Sequence, residues 1–246
     1  MNTHGKIGDV FYTQPENISD KSLVLKGSEF HHCFKVSRKK KGDVIGVIDG
    51  EGRHYVCVID KKGRDYAECR IERIDFKPRE PFCDIILIQA LIKGDRFDWI
   101  VEKATELGVT SIIPVVTEKT VLKPNPAKLK RWKKIALSAL KQCGGTVLPE
   151  INEILSFPEA VDKVFKNDLK LIAYMSGSSR PVKKILGSQH FSGRPKIVVA
   201  IGPEGDFTIA EIDKAKESGF LPVSLGERRL RSETAALFMI AQLINM

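Results

Sequence analysis

Charged residues accompany two glycine-containing loops in the last quarter of the chain, residues 201–208 and 225–231. Each loop follows a short apolar run and leads into a segment with a helical pattern, so backbone N–H groups converge there. Such a cradle suits a small polar cofactor, and the charged side chains of Glu204, Arg231 and Glu233 could take part in chemistry there. We therefore expect a catalytic site in this part of the chain.

Each of these features also has a purely structural interpretation. The first loop could be an ordinary strand-to-helix connection, and Glu233 could serve only to stabilise the start of a helix. Arg231 could form a salt bridge with Glu204 or Glu233. A cation directly before a helix is disfavoured by the helix dipole, however, and a residue that contradicts local preference is a functional candidate.

Several common cofactor sites find no support in the sequence. The loops match neither the G-x-G-x-x-G pattern of dinucleotide sites nor the G-x-x-x-x-G-K-[ST] pattern of nucleoside triphosphate sites. The five cysteines include no C-x-x-C pair, and their odd number and wide spacing indicate free thiols in a reducing compartment. His31 and His32 have no neighbours at metal-ligand spacing, so we expect no metal site.

A parallel α/β sheet is expected to position the loops, because strand-like and helix-like segments alternate from residue 82 onwards. The predicted strands are 84–90, 111–116, 170–175, 196–201 and 223–225. The predicted helices are 95–107, 128–142, 209–218 after a Thr208–Glu211 capping box, and a closing helix capped by Ser232. Pro114 suggests that its strand lies at an edge or carries a bulge. Both glycine loops then lie at the carboxyl edge, where open α/β sheets bind ligands.

The front of the chain has a different pattern. Short segments of alternating apolar residues are separated by polar turns, which predicts a small antiparallel β-barrel. The alternation runs through residues 44–48, 55–59 and 67–74. Residues 76–81 form a charged, proline-bounded connector. We therefore expect two domains, 1–75 and 82–246.

The charge balance favours a polyanionic partner. The chain carries 40 Lys and Arg against 31 Asp and Glu, for a net charge of +9. Basic residues cluster at 38–41, 61–64 and 128–134, which is the footprint expected of nucleic-acid binding, although each cluster could be only a solvated basic face. No apolar run approaches the length of a membrane span, and the first residues lack an apolar signal core, so we expect a cytoplasmic protein.

The loop sequences IGPEGDFT (201–208) and LGERRLRSETAA (225–236) resemble the two C-terminal signatures of the SPOUT RNA methyltransferases, and more narrowly those of the RsmE family. Further similar segments follow the family order: FHHCFKVSR with GEG at the front, KGDR with KATELG, and QCG. The resemblance implies a PUA-like β-barrel followed by a trefoil-knotted α/β domain with a parallel sheet. It also implies a homodimer that methylates N3 of a uridine in small-subunit (16S) ribosomal RNA.

The chemistry of such a methylation suggests roles for particular residues. Arg231 would stabilise the uridine anion, and Glu233 or Glu204 would take the N3 proton. The residues expected to hold S-adenosylmethionine are Met175, Ile201, Gly202, Pro203, Glu204, Gly205, Leu225, Gly226 and Leu230. The residues expected to contact RNA are Arg38, Lys39, Lys40, Lys93 and Arg96. The chain departs from the family pattern at Asp206, where a glycine is usual, and at Arg229, where an apolar residue is usual.

Two other functions remain open on the sequence. A SPOUT enzyme could instead methylate a ribose 2′-hydroxyl, which would give a different product. A non-catalytic RNA-binding factor in ribosome assembly could retain the same fold, and it would not bind S-adenosylmethionine.

Overall fold

The computed structural model describes residues 10–164, 166, 168–175 and 179–245. The chain divides into two compact units, the first comprising residues 1–80 and 140–148 and the second residues 81–139 and 149–246. The first unit extends beyond the predicted barrel domain, because the last turn of the long basic helix and the segment after it are part of it. Leu140 and Leu148 supply its apolar contacts there, packing with Val10, Tyr12 and Ile48.

The first unit is built on a five-stranded sheet with the order β1-β3-β4-β5-β2. Its strands are β1 (Val10–Tyr12), β2 (Ser22–Lys26), β3 (Val44–Ile48), β4 (Arg53–Lys62) and β5 (Tyr66–Phe76), and helix α1 (Gly27–His31) continues as a π-helical turn over His32–Val36. The apolar residues of the alternating strands face one core, as the period of two requires. The predicted small β domain is confirmed. All its strand pairs are antiparallel except β1 with β3.

His54 is a buried titratable residue of this sheet. Burial lowers the pKa of His54, against the opposing effect of Asp75, whose Oδ2 lies 3.7 Å from Nδ1. The Nε2 atom faces Gly46, where a Cβ atom would come within 2.8 Å of it. The unfolded chain therefore binds a proton at this residue more readily than the folded chain does.

We expect the free energy of unfolding to fall as the pH drops below about 6.5, the ordinary pKa of histidine, and to be insensitive to His54 above it. Urea unfolding at pH 7.5 and 5.5 measures this change. A His54→Asn variant should lose part of the pH dependence, whereas His31→Asn, at an exposed position, should retain all of it. Equal pH dependence in the wild type and both variants would contradict the assignment.

The second unit is built on a parallel sheet with the order β11-β13-β10-β12-β6-β7-β8, in which β9 also pairs with β7. Its strands are β6 (Asp84–Ala90), β7 (Ser111–Val116), β8 (Glu150–Ile151), β9 (Leu155–Ser156), β10 (Leu169–Ala173), β11 (Arg180–Pro181), β12 (Lys196–Ile201) and β13 (Leu221–Ser224). Its helices are α2 (Arg96–Glu106), the first part of α3 (Ala127–Cys143), α4 (Phe157–Lys163), α5 (Val182–Leu186), α6 (Ile209–Glu217) and α7 (Ser232–Ile244). The predicted parallel α/β class is confirmed.

Pro114 lies in β7, which is not an edge strand. On one side the strand pairs with β6, and Pro114 stands opposite Gln89. On the other side β8 pairs with residues 111–112 and β9 with residues 115–116. Proline, which has no N–H to donate, therefore occupies the break between two short partner strands.

Candidate active site

The predicted site residues of the second unit follow neighbouring strands of the parallel sheet. Strands β13, β10, β12 and β6 lie side by side, and the carboxyl ends of parallel strands share one edge of a sheet. Met175 follows β10, residues 202–205 follow β12, residues 225–231 follow β13, and Lys93 with Arg96 follow β6. The structure thus brings four separate chain segments to one edge.

The first glycine loop is a tight turn with a left-handed residue. The N–H of Asp206 donates to the carbonyl oxygen of Pro203 at 3.0 Å, and Asp206 has a φ of 62°. Its Oδ1 accepts a hydrogen bond from the N–H of Phe207 at 2.8 Å. Aspartate is one of the few residues besides glycine that tolerate this conformation, because its short side chain can bond locally. This explains why the chain can carry Asp206 where a glycine is usual.

Phe207 fixes the end of this loop in the core. It is buried and packs against Phe157 with 4.7 Å between ring centroids. A Cβ atom on Gly202 would stand 3.2 Å from the Phe207 ring, so glycine at this position lets the loop fold over the aromatic side chain.

The predicted capping box at the start of α6 is confirmed. The hydroxyl of Thr208 accepts from the N–H of Glu211, and Oε2 of Glu211 accepts from the N–H of Thr208 at 2.8 Å. Glu211 is buried, and its Oε1 accepts from the N–H of Glu118 at 3.0 Å. The same carboxylate therefore joins α6 to the loop that follows β7.

Lys119 is a contact of the glycine loop that the sequence did not indicate. Its Nζ donates to the carbonyl oxygens of Gly205 at 3.0 Å and Phe207 at 3.2 Å. These residues are 86 and 88 positions away in the chain. No local pattern around Lys119 could reveal the contact, because only the parallel sheet brings the two loops together.

We expect Lys119→Met to weaken the binding of S-adenosylmethionine about tenfold, because the carbonyl oxygens of the glycine loop lose their shared donor. This lies at the low end of the range for hydrogen bonds to charged groups, since Lys119 is exposed to water. Titration calorimetry measures the affinity. Lys123→Met removes a charge from an exposed neighbouring position and should leave the affinity unchanged; equal weakening by both changes would assign the effect to net charge.

Arg96 joins the two candidate catalytic carboxylates. Its guanidinium forms an ion pair with Glu204 and lies 3.6 Å from Oε2 of Glu233. Its Nε donates to the carbonyl oxygen of Lys93 at 3.0 Å, which holds the arginine against its own loop. Sequence reasoning assigned Arg96 only to RNA contact and missed this pairing. The sequence did contain one indication of this role, because Arg96 follows the end of strand β6 closely along the chain.

Arg96 and the local backbone also set the charge state of Glu204. Burial raises the pKa of Glu204, but hydrogen bonds from its own backbone N–H and from Arg96 more than offset that effect and hold the pKa below its ordinary value. The second glycine loop adds a further contact, because Nη2 of Arg229 donates to the carbonyl oxygen of Glu204 at 3.3 Å.

A buried hydrogen-bond chain joins the closing helix to the first loop. Nε2 of Gln89 donates to Oγ of Ser232 at 2.9 Å, and this hydroxyl donates to the carbonyl oxygen of Gly202 at 2.6 Å. The prediction that Ser232 caps the helix is therefore wrong. Arg231 occupies the N-cap position, and the Ser232 hydroxyl is drawn away by the buried carbonyl.

Arg231 is exposed, and its side chain makes no capping hydrogen bond. Among the residues that the structure describes, it has no ion pair either, since Glu204 and Glu233 both pair with Arg96. The structural alternative for Arg231, a salt bridge with Glu204 or Glu233, is therefore not what the structure contains. Its guanidinium is available to a bound anion.

The remaining predicted RNA-contact residues lie in the first unit. Arg38 and Lys40 are exposed, and Lys39 is partly buried. Arg38 follows the π-helical turn with a φ of 53°, and the N–H of Lys40 donates to Asp43 at 2.8 Å. The backbone bonds of this turn leave the basic side chains on its surface.

The described residues contain no group of three or more His, Cys, Asp or Glu arranged to hold a metal ion. None of the helices there combines the length and the apolar character needed to cross a membrane. Within the described residues the cysteines form no disulfide, and burial raises the pKa of Cys57 and of Cys69 to about 12.

Both units match families of RNA methyltransferase domains. Residues 78–244 match a family model described as an RNA methyltransferase domain, and residues 25–72 match an RNA methyltransferase PUA domain. The ribosomal RNA small subunit methyltransferase E of Synechocystis is 34% identical over 93% of this chain and 75% of its own length. The protein of the same name from Bacillus subtilis is 30% identical over 89% of this chain and 88% of its own length.

Solved structures agree with these sequence matches. A ribosomal RNA small subunit methyltransferase E from Neisseria gonorrhoeae, bound to S-adenosyl methionine, has a TM-score of 0.81 and 36% identity over 95% of both chains. A putative methyltransferase from Legionella pneumophila, in complex with the same cofactor, has a TM-score of 0.80 and 30% identity over 95% of this chain and 96% of that one.

Proposed function

Because the chain belongs to the family of the ribosomal RNA small subunit methyltransferases E, we propose that it transfers a methyl group from S-adenosylmethionine to N3 of a uridine in 16S ribosomal RNA. One observation carries this proposal: several features meet at one edge of the sheet. They are the two glycine loops, the exposed guanidinium of Arg231, and the cluster of Arg96 with Glu204 and Glu233. That edge combines a cofactor cradle with groups that can move a proton and stabilise an anion.

The loops fit S-adenosylmethionine. Gly226 has a φ of 116°, and a Cβ atom at this residue would have no neighbour within 4 Å, so its backbone is open to a ligand. Leu225 and Leu230 are half-buried and Met175 is exposed, which provides apolar surface beside polar backbone groups. The residues that would hold the cofactor are Met175, Ile201, Gly202, Pro203, Glu204, Gly205, Leu225, Gly226 and Leu230. When bound, the cofactor supplies a methyl group on a positively charged sulfur.

The protein's own side chains must prepare the uridine. N3 is a weak acid that carries its proton near neutral pH, so a base has to remove that proton. Glu204 and Glu233 are our candidates for this base, and Arg231 would stabilise the negative charge that spreads onto O2 and O4. Attack by nitrogen needs no cysteine nucleophile.

RNA binding is assigned to residues 1–75 and to the loop after β6, with 82–246 as the methyltransferase domain. The contacts would come from Arg38, Lys39, Lys40, Lys93 and Arg96. Cationic side chains of this kind bind phosphates by releasing counterions, so affinity should fall steeply with salt. Because Arg96 is already paired with carboxylates, we expect it to contribute less to the salt dependence than the exposed cluster at 38–40.

We expect the triple change Arg38→Gln, Lys39→Gln and Lys40→Gln to flatten the salt dependence of RNA binding. Each lost phosphate contact lowers the slope of log affinity against log salt by about 0.7 for single-stranded RNA, or about 2 for three contacts. Filter binding from 50 to 300 mM salt measures the slope. The same change at Lys61, Lys62 and Arg64, the other basic cluster of residues 1–75, shows whether the effect is specific to residues 38–40. An unaltered slope in the first variant would remove residues 38–40 from the interface.

The homodimer, the knot and the cytoplasmic location belong to the same proposal. Exposed Trp99 on α2 and Phe238 on α7 provide apolar surface for a second copy, and these two helices pack together. The path of the chain supports the knot. Strand β13 pairs with β10 and is separated by it from β12 and β6. After β13 the chain nevertheless returns to those two strands, because Ser232 bonds to Gly202, which follows β12, and to Gln89, which lies in β6. Sedimentation equilibrium tests the dimer, and a monomer at micromolar concentration would contradict it.

The decisive experiment compares ribosomal RNA modification in cells with and without the protein. Nuclease digestion and mass analysis should show one N3-methyluridine that is lost with the protein and restored by the purified enzyme and S-adenosylmethionine. A 2′-O-methylated product would instead indicate a ribose methyltransferase. A protein that binds RNA but gives no calorimetric signal with S-adenosylmethionine would be an assembly factor.

A further inference from the structure

Glu204 and Glu233 differ in their exposure to water. The Glu204 side chain is 43% exposed, whereas that of Glu233 is 12% exposed and lies in the first turn of α7. Within the described structure, Oε2 of Glu233 is a buried oxygen without a hydrogen bond. A buried acceptor without a donor is costly, so such an atom is a candidate to receive a donor from a ligand.

Arg96 interacts differently with the carboxylates of Glu204 and Glu233. Arg96 donates a direct hydrogen bond to Glu204, whose pKa is held below its ordinary value, and this makes Glu204 a weaker base. The distance from Nη1 of Arg96 to Oε2 of Glu233 is 3.6 Å, which is beyond hydrogen-bonding range. Glu233 therefore has a neighbouring positive charge but keeps its oxygen free to accept a proton.

We propose that Glu233 is the general base that removes the N3 proton, that Glu204 is the counter-ion of Arg96, and that Arg96 is a positioning residue for both carboxylates. This assignment rests on the proposed uridine N3 methylation. The N3 proton passes to Oε2 of Glu233, and the N3 electron pair forms the bond to the methyl carbon. The carbon–sulfur bond of the donor breaks with its electrons on sulfur, and Glu233 then returns the proton to water.

The assignment predicts a dependence on the acidity of N3. In single-turnover assays Glu233→Gln should slow methylation at least about 100-fold, the low end for losing a general base. The defect should shrink at high pH and on RNA that carries 5-fluorouridine at the target, because fluorine makes N3 more acidic and a base less necessary. Glu204→Gln should also slow the reaction, but by a factor that is the same for uridine and 5-fluorouridine.

Two further measurements separate chemistry from folding. Calorimetry should give Glu233→Gln an affinity for S-adenosylmethionine within about threefold of the wild type, and Glu217→Gln, at an exposed end of α6, should leave activity unchanged. If Glu233→Gln does not fold, Glu233→Asp retains a carboxylate; it should react more slowly but keep the wild-type dependence on pH and on fluorine.

The possible failures are distinguishable. A wild-type enzyme that forms no N3-methyluridine overturns both the proposed function and the base. A wild-type enzyme that forms it, together with a Glu233→Gln variant that is fully active or equally slow on both RNAs, overturns the base alone. A fluorine rescue seen with Glu204→Gln and not with Glu233→Gln would transfer the role to Glu204.

Discussion

Replacing Arg231 with alanine is expected to slow methyl transfer at least about 100-fold without unfolding the protein. The loss is that of one preorganised donor to a developing anion. Folding should be unaffected because Arg231 is exposed and makes no capping hydrogen bond. Removing a cation from a helix N-terminus should even relieve a small unfavourable interaction with the helix dipole.

Three measurements make this result specific. The rate should be followed in single turnovers, with calorimetry to confirm that S-adenosylmethionine still binds and thermal unfolding to confirm stability. Arg231→Lys, which keeps the charge but not the planar fork, should recover part of the rate. Arg228→Ala removes another exposed arginine of the same loop and serves as the control. Near-normal turnover in Arg231→Ala would discard the proposed role.

Replacing Phe207 with alanine is expected to cost about 3–5 kcal/mol of the free energy of unfolding, the usual range for a buried aromatic residue. Phe207 also anchors the glycine loop, because it packs on Phe157 and supports Gly202. Its loss should therefore weaken S-adenosylmethionine binding at least about tenfold as well. Urea unfolding and calorimetry at low temperature, where the variant remains folded, measure the two effects.

Phe220→Ala provides the matched control for Phe207. Phe220 is equally buried in the same core cluster, and it precedes β13 at the opposite end of that strand from the second glycine loop. We expect a similar loss of stability with little change in cofactor affinity. If both variants lose affinity to the same extent, the effect comes from general destabilisation and not from the anchor.

The elements of the α/β sheet could be predicted from sequence because their apolar patterns are local. Strands 84–90, 111–116 and 196–201 agree with the prediction at both ends. Gly108 follows helix α2 with a φ of 79°, the left-handed conformation that glycine often adopts after a helix. The sequence could not predict that Pro114 lies inside the sheet. Its place depends on the short strands β8 and β9, and neither of these has an apolar run that a sequence pattern could reveal.

The partners within the candidate site could not be predicted in the same way. Ser232 has the residue type of a helix cap, but a buried carbonyl at Gly202 competes for its hydroxyl. Arg96 meets Glu204 across 108 positions, and Lys119 meets the glycine loop across 86. Local patterns identify the loops that carry charged residues, whereas the pairing among those residues depends on which strands become neighbours.

The hydrogen-bond chain from Gln89 through Ser232 to Gly202 has a consequence for the timing of assembly. Ser232 leaves the ribosome 143 residues after Gln89 and 30 after Gly202. Until then the Gln89 amide and the Gly202 carbonyl lack the partner that satisfies them in the finished core, and contacts of such long sequence separation form slowly. The first glycine loop therefore acquires its last buried hydrogen bond only once the closing helix has been synthesised.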